Sequence, residues 1–561
     1  MITEVSVVPV APECSAAQGN VNVSKPSLVS GDRSGDVEMG PSLQNDADGQ
    51  LQFSFRDFRN CGIALHFFGM GFLRAGVDAI FFNVLEGYLN VQSNIMKSAT
   101  NLVLMPSVFT LAFGILSDSR PIFGCRRRPY MGGGFLLASA SFVILIGLGL
   151  PDPYFCFVDG RYMDKEAPCN PEAPEAYGPL MACLCMANLG CVAATAAAQG
   201  LVVEYAKAEP QEIRGRTQAM LQIVFCAGSI SSVFLAAFGF NGRKFTGSFN
   251  QHDQLSYRQF LLIFAVISGV VGIAGFFFVR EGPASRASIR AYCRSSWRIF
   301  ESKAFCSFAL YILANTAVFS IFTSAGTWVG LEWAQTKDMQ RELSNFLGMI
   351  LAIVGSWLTQ KYLLNVSWRK TVFASITLPI VIDMAPQFLT IFDIVRNQYF
   401  YLGEPITSYV PEAMADLIYL FMVNEFADGG NTALVFGVVA TVKAVGQPMS
   451  VMFSNEIFSF FTPDLFSSVN YIQDTQAFRW TVASSFLLSY IIKVLGIGTL
   501  MLLPSQKEDA QQRKTEWSRR PVFAIISVAM LGVCLLYSLV GDFLVLDPSL
   551  TCLHLLGGKG C

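Results

Sequence analysis

Residues 114–130 read Gly114-Ile115-Leu116-Ser117-Asp118-Ser119-Arg120-Pro121-Ile122-Phe123-Gly124-Cys125-Arg126-Arg127-Arg128-Pro129-Tyr130, a polar hinge between apolar runs that begin near Ile95 and end near Leu150. An α-helix needs about 20 apolar residues to cross a bilayer. Two such runs joined by an arginine-rich hinge therefore read as a pair of antiparallel membrane spans. The adjacent Arg126, Arg127 and Arg128 put the hinge on the cytosolic side, where Lys and Arg accumulate. Asp118 offers these arginines an ionic partner, so Gly114, Asp118 and the three arginines are read as a gate as well as a topology marker.

The rest of the chain repeats this pattern. Of its 561 residues 53% are hydrophobic and 14% charged, too apolar a mixture for a soluble protein of this length. Windows long enough to span fall near 61–89, 95–117, 130–150, 178–204, 217–240, 258–279, 303–331, 342–364, 371–393, 412–436, 438–461 and 478–503, with a further one at 521–546. The expected fold is an all-α polytopic membrane protein of twelve transmembrane helices in two six-helix bundles, plus a thirteenth C-terminal helix. Residues 1–55 are polar and acidic with no apolar segment of the kind that starts a signal peptide, and read as a disordered cytosolic tail. The net charge of -2 leaves no basic surplus for phosphates, so no nucleic-acid partner is expected.

With the amino terminus inside, the cytosolic tail and loops collect most of the 39 Lys and Arg residues. The organisation that follows is a six-helix bundle over 56–280, a basic cytosolic linker over 281–302, a second bundle over 303–504, and a tail over 505–561 containing a basic segment and the extra helix. Whether 521–546 crosses the membrane or lies on it stays open at this level. In the linker Arg286, Arg290, Arg294 and Arg298 recur every four residues, along one helical face suited to anionic headgroups, although a solvated basic linker gives the same pattern. Cys156 and Cys169 share one non-cytosolic loop, and Cys552 and Cys561 share the carboxy-terminal tail. Each pair is available for a disulfide if that side is oxidising, or for free thiols if it is not. The Asn-x-Ser/Thr matches at Asn22 and Asn365 fall on the cytosolic side and are not expected to be glycosylated.

Ionisable groups inside spans are costly, about 2.5–3.5 kcal/mol each at mid-membrane, and mark working sites. In the first span Arg74, Asp78 and Glu86 fall on one arc of the helix, where Arg74 would meet an anionic substrate group and Asp78 or Glu86 would carry a proton. A buried Arg74–Asp78 pair that only fixes packing is the alternative. His66, near the start of that span, reads as a packed residue. Glu204 ends the fourth span, and the tenth contains Glu425, Asp428, Gly429 and Gly430, which read either as a locally opened helix lining a cavity or as a helix end. Asp383, Lys443 and Lys493 are available as partners. No metal-ligand pair, nucleophile elbow or P-loop is visible, so no enzyme activity, cofactor or metal is expected.

The segment Pro106 to Tyr130, with Gly114 followed by SDSRPIFGCRRRPY, resembles the signature of the folate-biopterin transporters, a branch of the major facilitator superfamily. The stretches VVEYAKAE and RGRTQAMLQIVFCAGS within 202–229 resemble that family's fourth and fifth spans, and Glu425 with Ala433 and Leu434 is a third match. The resemblance implies a secondary active transporter working by alternating access, moving a folate- or pterin-like organic anion together with H+. On this reading Glu204 and Glu425 line the path together with Arg74, Asp78 and Glu86 of the first span. The chain departs from the family pattern at Thr110 in place of a membrane lysine, Gln199 in place of an acid and Tyr205 in place of an arginine. Those departures admit two other readings: transport of a different small metabolite on the same fold, or a receptor or scaffold that no longer transports.

Overall fold

The computed structural model describes residues 61–86, 88–89, 102–158, 161–162, 167–173, 176–211, 213–240, 255–281, 289–336, 338–427, 432–465, 468–544 and 553. The tail 1–55, Arg286, Asp428, Gly429, Gly430, Cys552 and Cys561, and the side chain of Glu86, lie outside the described residues.

The first half contains α1 (Cys61–Ile80), continued by a π-helical turn at Phe81–Glu86, then α2 (Thr110–Ser119), entered through a 3-10 turn at Met105–Phe109. It continues with α3 (Arg128–Leu148), α4 (Gly178–Ala208), α5 (Arg216–Gly239) and α6 (Tyr257–Phe277). A linker helix α7 (Ile289–Phe300) leads to α8 (Lys303–Phe319), the short α9 (Ala325–Trp328), α10 (Asp338–Leu358), α11 (Trp368–Ile391), α12 (Gln398–Phe426) and α13 (Thr432–Ser459). After the short α14 (Ser468–Gln473) come α15 (Gln476–Gly496), the polar α16 (Lys507–Glu516) and α17 (Pro521–Leu544). Strands β1 (Phe157–Val158) and β2 (Arg161–Tyr162) form one small antiparallel hairpin.

Ten helices among the described residues are long and apolar enough to cross a membrane, while Lys303–Phe319 and Pro521–Tyr537 are shorter apolar helices. The expected first and seventh spans are the two of the twelve outside this set. α1 carries Arg74 and Asp78 and runs into its π turn, and the seventh breaks at Ser320 before α9. The tenth span begins at Gln398, well before the expected 412, because Asn397 caps it by accepting hydrogen bonds from the Tyr399 and Phe400 amides at 2.9 and 3.4 Å. Pro405 and Pro411 lie inside that helix, where prolines ordinarily mark a boundary.

Hydrophobic burial assembles the two halves. In the first, Phe72, Phe260 and Phe264 pack ring on ring, with Phe72–Phe264 and Phe260–Phe264 centroids each 4.8 Å apart. α1 packs against α5 and α6, and Gly71 permits the approach to α5, since a Cβ there would lie 2.0 Å from the Phe225 carbonyl oxygen. In the second half Trp368 is the largest fully buried side chain among the described residues, and Phe308 stacks on Phe426 at 5.1 Å. The halves meet where α2 and α4 pack on α13 and where α5 packs on α10.

The hinge itself is a tight hairpin turn. Ile122 and Cys125 exchange backbone hydrogen bonds of 2.9 and 3.0 Å, with Phe123 and Gly124 at φ 52° and 79°. α3 then begins at Arg128-Pro129, where a proline is tolerated because the first helical amides have no partner within the helix. This end of the molecule is the hinge face.

On the opposite face Cys156 and Cys169 form a disulfide. There also Arg396 donates to Asp474 at 2.7 and 3.1 Å and Arg479 at 2.7 and 2.8 Å, joining the α11–α12 and α14–α15 loops. Burial alone would raise the Asp474 pKa, but hydrogen bonds from Arg479 and Arg396 outweigh it and hold the carboxyl below its ordinary value. A carboxyl depressed in this way gives stability that is complete above its unfolded pKa of about 3.9 and is lost as pH falls through the lower folded value. Replacing Asp474→Asn is expected to cost about 1–3 kcal/mol near pH 7. The detergent-purified variant should lose less of its melting temperature than the parent between pH 5 and 3; an equal loss in both would contradict the assignment.

Candidate functional site

A cavity of about 470 Å³ lies between the halves. From the first half Arg74 and Asp78 of α1, Thr110 of α2, and Asn188, Thr195 and Gln199 of α4 reach it; from the second come Asp416 and Tyr419 of α12 and Lys443 and Gln447 of α13. Most of the remaining wall is apolar, including Met70, Phe142, Phe225 and Phe436. Each half thus supplies one cation and one carboxylate one helical turn or one helix apart. Lys443 forms an ion pair with Asp416 and lies over the Tyr419 ring, 5.2 Å from its centroid. Asn315 of α8 in turn donates to the Tyr419 hydroxyl. Glu412, one turn before Asp416, interacts electrostatically with Asp416, Lys443 and Lys493.

Toward the hinge face the cavity ends in a layer of buried charge. Asp118 and Arg127 have fully buried side chains and are joined at 2.9 Å. The other oxygen of Asp118 accepts from the Ala433 and Leu434 amides at 3.1 and 3.2 Å, and Arg127 donates to the Thr432 hydroxyl at 2.6 Å. Asp118 therefore caps the first turn of α13, where unpaired amides and the helix dipole favour an anion. Glu204 pairs with Arg126 and, at 2.9 Å, with Arg127. Burial alone would lower the Arg127 pKa, but Glu204, Asp118 and Glu281 outweigh it and raise it. Glu281 accepts from the backbone amides of Arg126, Arg127 and Arg128 at 2.6, 2.8 and 3.2 Å, capping the start of α3.

The backbones in this layer nearly touch. A Cβ on Gly114 would lie 2.4 Å from the Ala433 carbonyl oxygen, and one on Gly437 2.8 Å from the Leu111 Cα. At a helical rise of about 1.5 Å per residue, Glu204 stands ~7.5 Å beyond the cavity residue Gln199 and Asp118 ~12 Å beyond Thr110. Farther out, Arg214 pairs with Glu425 at 3.2 Å, Gln218 and Asn424 exchange amide hydrogen bonds of 2.9 and 2.5 Å, and Lys207 donates to the Ala427 carbonyl. The polar helix α16 lies across both halves, with Gln511 bonded to Glu425 at 2.5 Å and Lys507 to the Gln211 and Arg214 carbonyls at 3.2 and 3.3 Å.

No family model and no curated protein matches the sequence. Among solved structures, that of the human organic anion transporter MFSD10 (TETRAN) aligns with a TM-score of 0.51 at 11% identity, covering 78% of this chain and 99% of that one. The major facilitator superfamily proton:xylose symporter XylE, bound to 6-bromo-6-deoxy-D-glucose, aligns with a TM-score of 0.52 at 11% identity, over 82% of this chain and 98% of that one. The fold is that of the major facilitator superfamily.

Within this major facilitator fold the residues singled out by sequence separate into two groups. Arg74 and Asp78 face the cavity, whereas Glu204 and Glu425, expected along the path, lie in the ion-pair layers of the hinge face. The cause is position: both acids close the last turns of α4 and α12, beyond the cavity, where hinge and loop arginines reach them. The three arginines are not equivalent, since Arg127 takes Asp118 while Arg126 takes Glu204. His66 is buried against Phe135 at 4.7 Å, and Asp383 accepts from Gln387 and Tyr490 between α11 and α15 at 2.9 and 2.7 Å. Thr110 and Gln199 both line the cavity, while the third departure, Tyr205, donates to the Arg280 carbonyl at 2.9 Å. Sequence reading missed Asp416, Tyr419 and Glu412; the two carboxylates fall at the very start of the expected 412–436 window, where acids read as interfacial, whereas the helix begins at Gln398 and places them well inside it.

Truncating Arg127→Ala leaves Asp118 and Glu204 without their shared cation, a cost of about 3–5 kcal/mol to the closed layer. A cysteine placed at the buried Val435 should then react much faster with a membrane-impermeant maleimide than in the Arg127-containing protein. Unchanged reactivity would show that this layer does not close the hinge face.

Proposed function

We propose that the chain is a secondary active transporter that carries a folate- or pterin-like small organic anion with H+ by alternating access. The observation that carries this reading is the cavity between the halves, to which each half contributes a cation and a carboxylate: Arg74 and Asp78, one helical turn apart on α1, and Lys443 ion-paired with Asp416. An anion entering such a site finds positive groups from both halves, so its binding favours their approach. With the cavity charges otherwise balanced, protonation of Asp78 or Asp416 keeps the loaded site neutral, and an uncompensated buried charge is avoided. Asn188, Gln199 and Gln222 supply amide groups for the edge of a heterocycle, and the apolar wall suits its ring faces.

The conformer is the one closed at the hinge face. The distribution of Lys and Arg supports a cytosolic reading of that face, and on that reading release to the cytosol requires Asp118 to leave α13 and Arg214 to leave Glu425. Transport also fits the relatives in fold, one of which transports organic anions and another of which is a proton:xylose symporter.

Uptake of labelled folate, biopterin and an unrelated anion into transporter-deficient cells, with and without an uncoupler, tests the proposal. Uptake of a pterin that collapses with the uncoupler is expected. Arg74→Ala or Lys443→Ala should each lower kcat/KM about 10–100-fold, the worth of one charged contact. Uptake of no pterin by well-expressed protein would overturn the cargo assignment.

A further inference from the structure

α17 follows the twelfth expected span, and nothing in a two-bundle arrangement requires it. Its backbone starts at the hinge face, where the Arg520 amide donates to the Glu301 carbonyl at 3.0 Å. It then runs alongside α13, with Tyr537 against Phe453 at 5.7 Å. α13 starts at the same face, so α17 traverses the same thickness in the same direction. Its inner face recurs every three or four residues: Ala524 and Ser527 are fully buried, and Leu531 packs into the core of the second half. Ile525, Leu536 and Val540, on other faces, are 60%, 63% and 51% exposed.

Farther along that inner face the packing changes. Leu535 and Leu539, one turn apart, reach the central cavity beside Ala444, Gln447 and Pro448 of α13. A helix that served only as outer packing would press these side chains into others; here they border the space between the halves.

Building on the reading of this cavity as the transport site, we infer that α17 is a wall of it: Leu535 and Leu539 close the cavity sideways against lipid and limit the apolar end of the ligand it accepts. The ligand class is an amphipathic organic anion, its charged end toward Arg74 or Lys443 and its apolar end against the two leucines. Bulkier side chains at 535 and 539 shorten the accepted apolar end, and smaller ones open the cavity to the bilayer.

The free thiol of Cys191 lines the same cavity and reports on this wall without any transport assay. The full chain in proteoliposomes is treated with the lipid-soluble N-(1-pyrenyl)maleimide or with a water-soluble sulfonated maleimide, and modification of the Cys191 peptide is followed by mass spectrometry. Leu535→Ala combined with Leu539→Ala should raise the rate with the pyrenyl reagent several-fold, while Leu536→Ala should leave it unchanged. Leu535→Trp should slow both reagents, and provides a reading even if the double variant fails to fold. Rates in the double alanine and tryptophan variants equal to those of the parent would overturn the inference. Because no substrate is involved, a failure of pterin uptake would leave this result standing, and the reverse also holds.

Discussion

The closed arrangement depends on one carboxylate. Asp118 accepts from Arg127 on one oxygen and from the first amides of α13 on the other, so a residue of the second span caps the start of a helix some 315 positions later in the chain. Burying this group is tolerable only because all its partners are present together: a guanidinium, two backbone donors and the positive end of a helix dipole. The same condition makes it a gate. A buried ion pair contributes little net stability over a hydrophobic substitute, yet loses several kcal/mol when one partner departs. The layer is therefore held in a closed state whose opening is cooperative, since Arg127, Glu204 and Thr432 share the same contacts.

Between this layer and the cavity the structure changes its use of charge. At the hinge face the groups are enclosed and bonded to backbone; around the cavity, Lys443 and Asp416 keep side-chain exposures of 44% and 51%. Half-exposed pairs can exchange partners with a ligand, and enclosed ones cannot without helix movement. This division assigns binding to α1, α12 and α13 near mid-length and closure to the ends of α2, α4 and α13. It also accounts for the glycines at 114 and 437, which let α2 and α13 meet closely enough for a short aspartate to reach the helix start.

The fold was legible in the sequence because apolar runs of span length and a basic hinge are imposed by the bilayer itself. The hinge pairing was legible in outline, since Asp118 lies near the arginines along the chain. The capping of α13 was not, because local spacing says nothing of a helix from the other half. Asp416 was missed for a different reason: Pro405 and Pro411 disguised the start of α12, making a mid-helix acid look interfacial. Glu204 and Glu425 were read as path-lining because an acid at a span end carries no sign of whether it faces a cavity or an arginine on a loop. α17 was visible as an apolar stretch, but its place beside α13 depends on packing that hydropathy does not encode.

The most direct test of the account is the distance between the halves at the hinge face. Spin labels at Phe123, on the tip of the hinge, and at the exposed Lys370, in the first turn of α11 of the second half, would be placed in a background with the free thiols replaced, and their separation measured by pulsed electron resonance. The account predicts a single narrow distribution in the parent protein and a second, longer population in Asp118→Ala. An identical narrow distribution in both would contradict the claim that this carboxylate holds the halves together.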